Sequence, residues 1–271
     1  MAVEVIAGRK TGILYAGSGE PAVLLHCSLA HSGAWGGVMA GLKDRLAMVA
    51  IDLPGHGATT FDPALDIQDQ ACETTIAVLE RLDAPAHLIG HSFGSTVALR
   101  CAVERPDLVA SLSLYEPVYF SLLAAGNPQA YAREMADAEA FGKHLLAGEW
   151  QQAAEAFLDR WGSHGGFQVM PEAQQKYMLK TIPLILENTH SVIEDRVGPV
   201  TLENITALQM PCLLMEGARS PATIGLLNDL IEAALPNVER RVFDATGHMG
   251  PISHAPEFAR VVRAFLFGDD A

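Results

Sequence analysis

LIGHSFGS, residues 88–95, sets an apolar run against a helix start with a serine between them. AHLIGH (86–91) has the continuous apolar pattern of a strand buried on both faces, and STVALRCAVERP (95–106) is helical until Pro106 stops it. Ser92 therefore stands in G-x-S-x-G at a strand-to-helix turn. So sharp a turn strains the backbone of the residue at its apex, and glycines at 90 and 94 relieve crowding against neighbouring elements. The Ser92 hydroxyl is then expected to project into a cleft as a nucleophile. The N–H of Phe93, at the helix start, points toward a developing oxyanion with the helix dipole behind it. The plain alternative is a glycine-rich turn with an incidental serine; the strand before and the helix after favour the nucleophile.

The alternation continues on both sides of this turn. VEVIAG (3–8) and TGILYAG (11–17) read as two strands of a hairpin joined through GRK. AVLLHC (22–27) and LAMVAID (46–52) read as buried strands, with a helix around Trp35 to Leu42 between them and the breaker LPGHG (53–57) after them. IQDQACETTIAVLERL (67–82) is helical, with Asp66 as its cap, and VASLSLYEP (109–117) is a strand. From Phe120 to Ile205 the residues are rich in Ala, Gln, Glu and Met and read as helices. The alternation then resumes with PCLLMEG (211–217), ATIGLLNDLIEAALP (222–236), VERRVFDAT (238–246) and PEFARVVRAFLFG (256–268). This order predicts an α/β protein: a mostly parallel eight-stranded sheet with helices on both faces, joined by right-handed crossovers. Residues 1–117 and 206–271 form the sheet domain, and 118–205 form an inserted all-helical cap. Ligands of such sheets bind beyond the carboxyl ends of the strands, where an inserted block acts as a lid.

The chain has 271 residues, 49% hydrophobic, enough for a substantial core. Its net charge of −14 comes from scattered acidic residues and argues against nucleic acid or an anionic membrane as partner. The apolar runs are too short to span a bilayer, and MAVEVIAGRKTG (1–12) lacks a basic start followed by an apolar region. A cytoplasmic location is expected. Cys27, Cys72, Cys101 and Cys212 stand far apart in apolar or helical patterns, as reduced core thiols do. No HExxH or paired-cysteine spacing occurs, so no metal site is expected.

VFDATGHMGP (242–251) places His248 in a turn after the last strand, where a neutral imidazole takes the Ser92 proton and returns it to a leaving group. Activity is then expected to fall once the pH is low enough to protonate that ring. His254 is the competing histidine and is expected to cap the terminal helix beside Pro256. LLHCS (24–28), DLPGHG (52–57), GHSFG (90–94) and GHMGPISHAPEF (247–258) together give the chain, over nearly its whole length, a resemblance to the α/β-hydrolase superfamily. It resembles the type with a helical cap inserted after the sixth strand. These motifs are specific for the fold and say little about substrate. The resemblance implies a serine hydrolase working through an acyl-enzyme, with no cofactor. It also implies a second oxyanion N–H after a His-Gly pair; here Cys27 replaces the glycine and Ser28 takes the donor position, while His26 has a structural or oxyanion-loop role and His56 and Asp52 are structural. His31 is read as a surface loop residue.

The family most often places its acid in the turn after PCLLMEG, where this chain has Ala218, Arg219 and Ser220. Three carboxylates compete to replace it. Glu116 ends the sixth strand, where a subset of haloalkane dehalogenases carries the acid; Glu216 ends the seventh; Asp244 lies in the eighth and faces away. Glu116 is preferred, Glu216 second. Trp35, Tyr119, Phe120 and Trp161 are expected to bind substrate, and WGSHGGF (161–167) to let the lid move. No basic cluster lies near the motifs, so the expected partner is a small, neutral, largely apolar ester or lactone; a homodimer is compatible. Carbon–carbon bond hydrolysis and perhydrolysis use the same triad. A ligand-binding protein with a degenerate hydrolase site is the alternative from another class.

Overall fold

A computed structural model of the chain describes residues 1–162, 166–194 and 198–268. Those residues contain one eight-stranded sheet, formed by β1 (Ala2–Ile6), β2 (Arg9–Ala16), β3 (Glu20–Leu25), β4 (Leu46–Ile51), β5 (Ala86–His91), β6 (Val109–Tyr115), β7 (Cys212–Gly217) and β8 (Val238–Phe243). The spatial order is β1-β2-β4-β3-β5-β6-β7-β8. β1 and β2 form an antiparallel hairpin, β2 lies antiparallel to β4, and every pairing from β4 to β8 is parallel. The hairpin turn falls on Ala7 and Gly8, both with positive φ (47° and 73°), one residue before the expected Gly-Arg-Lys.

The sheet-flanking helices are α1 (Gly36–Leu42), α2 (Ile67–Leu79) and α3 (Phe93–Glu104). After β6 come α4 (Leu123–Gly126), α5 (Pro128–Leu146), α6 (Trp150–Trp161), α7 (Glu172–Thr181), α8 (Leu184–Val192) and α9 (Leu202–Ile205). Then follow α10 (Ala222–Ala234), α11 (Gly250–Ser253) and α12 (Ala255–Phe267). Side chains alternate across a strand, so the continuous apolar strands feed two cores. Ala22, Leu24, Met48, Ala50, Leu213 and Met215 meet α1 and α12 on one face. Val23, Leu25, Val49, Ile51, Cys212 and Leu214 meet α2, α3 and α10 on the other. Asp66 caps α2 by accepting from Gln68 N and Asp69 N.

The helices between β6 and β7 have their own apolar cluster, including Leu145, Ala153, Phe167, Met178 and Ile182, and it reaches the sheet domain through Leu29. One side chain ties this cap to two sheet-edge loops. The Tyr177 hydroxyl on α7 donates to Ala30 O (2.7 Å) and accepts from Gly57 N (3.0 Å). Of the expected lid loop WGSHGGF, residues 163–165 lie outside the described residues. No helix among the described residues is long and apolar enough to cross a membrane.

Candidate active site

Ser92 sits between β5 and α3 with φ 54° and ψ −119°, a backbone that non-glycine residues rarely adopt. Its flanking glycines are sterically required. A Cβ on Gly94 would collide with the Leu25 carbonyl, and one on Gly90 would meet the Ser95 backbone. The turn is locked by Ser92 N donating to Tyr115 O (2.9 Å) and by the Ser95 hydroxyl donating to the same oxygen (3.1 Å).

His248 reaches Ser92 from the loop after β8. Its Nε2 lies 2.9 Å from Ser92 Oγ, and its Nδ1 lies 2.6 Å from Glu116 Oε2. Two buried side chains hold that loop in place. The Tyr115 hydroxyl donates to Gly247 O (2.7 Å) and meets Thr246 Oγ1 at 2.9 Å. His91, the residue before the serine, lies with Nε2 2.7 Å from His248 O. Burial, reinforced by the neighbouring His248, holds the His91 pKa well below the usual imidazole value, so the ring is neutral and its Nε2–H donates.

Glu116 is fully buried, one residue past β6, with φ 50°. Its Oε1 accepts from Gly217 N (2.7 Å) and from the Ser220 hydroxyl (2.5 Å), which leaves Oε2 for His248. Ser220, which stands where the acid was sought after β7, is therefore a donor to the carboxylate on the neighbouring strand. The other two carboxylates are elsewhere. Glu216 accepts from Arg240 (2.7 Å) and Asn228 (2.8 Å), and Asp244 is exposed one residue beyond β8. No sequence pattern marked the roles of Ser220, His91 or Tyr115; adjacency to the motif was the only available signal for His91.

The loop after β3 is fixed by buried polar groups. His26 Nδ1 donates to Cys27 O (2.7 Å) and its Nε2 accepts from Leu53 N (2.9 Å). His56 donates to Pro54 O (2.9 Å) and accepts from Leu29 N (3.1 Å), holding Leu29 at φ 62° beside Ser28. Burial lowers the pKa of His26 to about 3 and that of His56 to about 4, which keeps both neutral as these bonds require. Asp52 accepts from Ser32 N (2.7 Å) and Ala58 N (2.9 Å); burial pushes its carboxyl upward, but these donors outweigh it and hold it below the ordinary value. Burial pushes the Cys27 thiol up to about 12, which makes it a poor nucleophile.

Ser92, His248, Ser28 and Phe93 line a cavity of about 430 Å³ beneath the cap. Phe120 and Trp161 line it too, and the Trp161 ring lies 4.7 Å from that of His248. Trp35 and Tyr119 do not. Trp35 is buried against Phe258 in the α1–α12 core, and Tyr119 is buried on the opposite face with its hydroxyl donating to Gln68 (3.1 Å). His31 is exposed and accepts from Gly33 N (3.1 Å). His254 occupies the N-cap position of α12 without a side-chain capping bond; its ring meets the Ser253 hydroxyl (2.9 Å). Among sequence-silent lining residues, Asn188 of α8 is buried and donates to Ser28 Oγ (3.1 Å). Arg160 and Glu134 line the cavity too, with Arg160 Nη2 donating to both Glu134 carboxylate oxygens (2.6 and 2.8 Å).

This geometry is a serine–imidazole–carboxylate relay at the floor of a largely apolar chamber. Residues 22–261 match the sequence profile of the Alpha/beta hydrolase family. A pimeloyl-[acyl-carrier protein] methyl ester esterase of Nitrosomonas europaea is 28% identical over 243 residues, covering 89% of this chain and 94% of that protein. A 2-hydroxymuconate semialdehyde hydrolase of a Pseudomonas strain is 28% identical over 285 residues, covering 98% and 94%. Among solved structures, the enol-lactonase of Burkholderia xenovorans superposes with a TM-score of 0.75 at 16% identity, covering 98% of this chain and 99% of its own.

Proposed function

The chain belongs to the Alpha/beta hydrolase family, and on that premise we propose that it is a serine hydrolase of a small, largely apolar carboxylic ester or lactone. The observation that carries this reading is the unbroken relay Ser92 Oγ–His248 Nε2 (2.9 Å) and His248 Nδ1–Glu116 Oε2 (2.6 Å) at the cavity floor. Glu116 holds the Nδ1–H tautomer, so Nε2 is free to accept the serine proton. Ser92 Oγ bonds to the acyl carbon, its proton passes to His248, and the N–H groups of Ser28 and Phe93 hold the oxyanion. Collapse breaks the bond to the leaving oxygen, which takes the proton from His248. Water then attacks the acyl-enzyme with His248 again as base and releases the acid.

Relatives named as an ester hydrolase and, at the level of fold, a lactonase support this bond class. The 28% identity to a semialdehyde hydrolase supports a second reading, carbon–carbon bond hydrolysis on the same relay. The carboxylate beside His248 speaks against a ligand-binding protein with a degenerate hydrolase site. A fluorophosphonate probe should label the wild type and leave Ser92→Ala unlabelled. A panel of short and medium esters, lactones and one vinylogous 1,5-diketone then separates the bond classes. Absence of both labelling and turnover across the panel would remove the hydrolase reading.

A further inference from the structure

Cys72 on α2 and Cys101 on α3 face each other with their sulfurs 3.4 Å apart, 29 residues apart in sequence and outside the relay. A disulfide holds its sulfurs at about 2.05 Å, so bonding requires the two atoms to close by roughly 1.4 Å, within reach of side-chain rotation. Both thiols are buried, Cys72 at 1% and Cys101 at 0% exposure, and they differ in what lies beside them. Cys72 Sγ lies 3.6 Å from Glu104 Oε2 and borders a surface cleft also lined by Asp69, Glu73 and Arg100. Cys101 does not line that cleft, and burial raises its thiol pKa well above the usual value. Burial likewise pushes Cys27 and Cys212 up to about 12, and among the described residues neither has a second thiol beside it.

We propose that Cys72 and Cys101 are an oxidisable dithiol that takes hydroperoxides and closes into a disulfide joining α2 to α3. Glu104 accepts the Cys72 proton, and the Cys72 sulfur attacks the terminal oxygen of the peroxide. The O–O bond breaks, Cys72 becomes a sulfenic acid, and the leaving alkoxide or hydroxide takes the proton and departs as alcohol or water. Cys101 Sγ then attacks Cys72 Sγ, the S–O bond breaks, and water leaves with the Cys101 proton. In sum, two thiols and one hydroperoxide give one disulfide, one alcohol or water from the peroxide, and one further water. The result is a covalent tie between α2 and the helix whose first turn carries Phe93, directly after Ser92.

The test is native wild-type protein treated with stoichiometric hydrogen peroxide, then denatured, alkylated and mapped by mass spectrometry. The expected product has lost about 2 Da, protects Cys72 and Cys101 from alkylation in one cross-linked peptide, and is reversed by dithiothreitol. Cys101→Ala should stop at a Cys72 sulfenic acid that dimedone captures, while Cys72→Ala should leave Cys101 reduced at the same dose. The proposal is overturned if all four thiols remain alkylatable, or if oxygen adds first to Cys27 or Cys212. It is equally overturned if Cys101 oxidises in the Cys72→Ala protein. Should either variant fail to fold, the wild-type peptide map decides alone.

Discussion

In the proposed reaction Glu116 acts through a tautomer. Its Oε1 is committed to two donors, Gly217 N and the Ser220 hydroxyl, so in Glu116→Gln the amide oxygen occupies that side and the NH₂ faces His248 Nδ1. Nδ1 must then accept, which places the ring proton on Nε2, where it can no longer take a proton from Ser92. By analogy with the serine-protease acid, kcat on an activated short ester should fall by about 10³–10⁴ with little change in KM. Glu216→Gln should leave kcat near wild type and lower thermal stability instead, because Glu216 is paired with Arg240 and Asn228. If the two variants exchange these outcomes in steady-state kinetics and melting, the assignment of the acid fails. Ser220→Ala removes one of three hydrogen bonds to Glu116 and keeps Gly217 N, so a kcat loss of only about tenfold is expected. A loss as large as that of Glu116→Gln would mean that Ser220 is indispensable rather than supporting.

At the scale of elements, the cap and the sheet domain meet through α7. Tyr177→Phe removes the bonds to Ala30 O and Gly57 N and should lower stability by about 1–2 kcal/mol. It should also speed amide exchange within Glu172–Thr181 more than within β5, as read by hydrogen–deuterium exchange; uniform acceleration would deny α7 a docking role. The strands and the Ser92 turn were legible because their signals are local: continuous apolar runs and glycines at fixed offsets. The contact between Glu116 and His248 is legible only through an analogy, since nothing local aims a strand-end carboxylate at a loop 132 residues later. Trp35 was misplaced although its pattern was readable. Trp35, Val38, Met39 and Leu42 recur at helical spacing and face one core, so the tryptophan was part of an apolar stripe. Tyr119 was misplaced because its partner, Gln68, lies 51 residues away on α2. The bond from Ser220 to Glu116 has no sequence signal, because a serine in a turn carries no mark of the carboxylate beyond it.

At the scale of the molecule, His26, His56 and His91 are buried, neutral imidazoles around the site among the described residues. Burial depresses the pKa of each, to about 3 and about 4 for His26 and His56 and well below the usual value for His91. The unfolded chain therefore binds more protons than the folded one once the pH drops below about 6.5. Stability is full above that pH and is lost as the pH falls from there toward the folded values, by up to about 4 kcal/mol per pH unit if all three contribute fully. Urea unfolding from pH 8 to 4 should show a plateau followed by this decline, and a level profile down to pH 4.5 would contradict the burial of neutral rings. The position of Glu116 also bears on modularity. An inserted domain is ordinarily exchangeable at its two ends, yet here the chain leaves the sheet for the cap through Glu116 itself, at φ 50°. Any transplant of a foreign cap onto this scaffold must take its upstream seam beyond Pro117, or it carries away the carboxylate together with the lid. The downstream seam, before β7, has no such restriction, so the two junctions of this insertion are unequal sites for recombination.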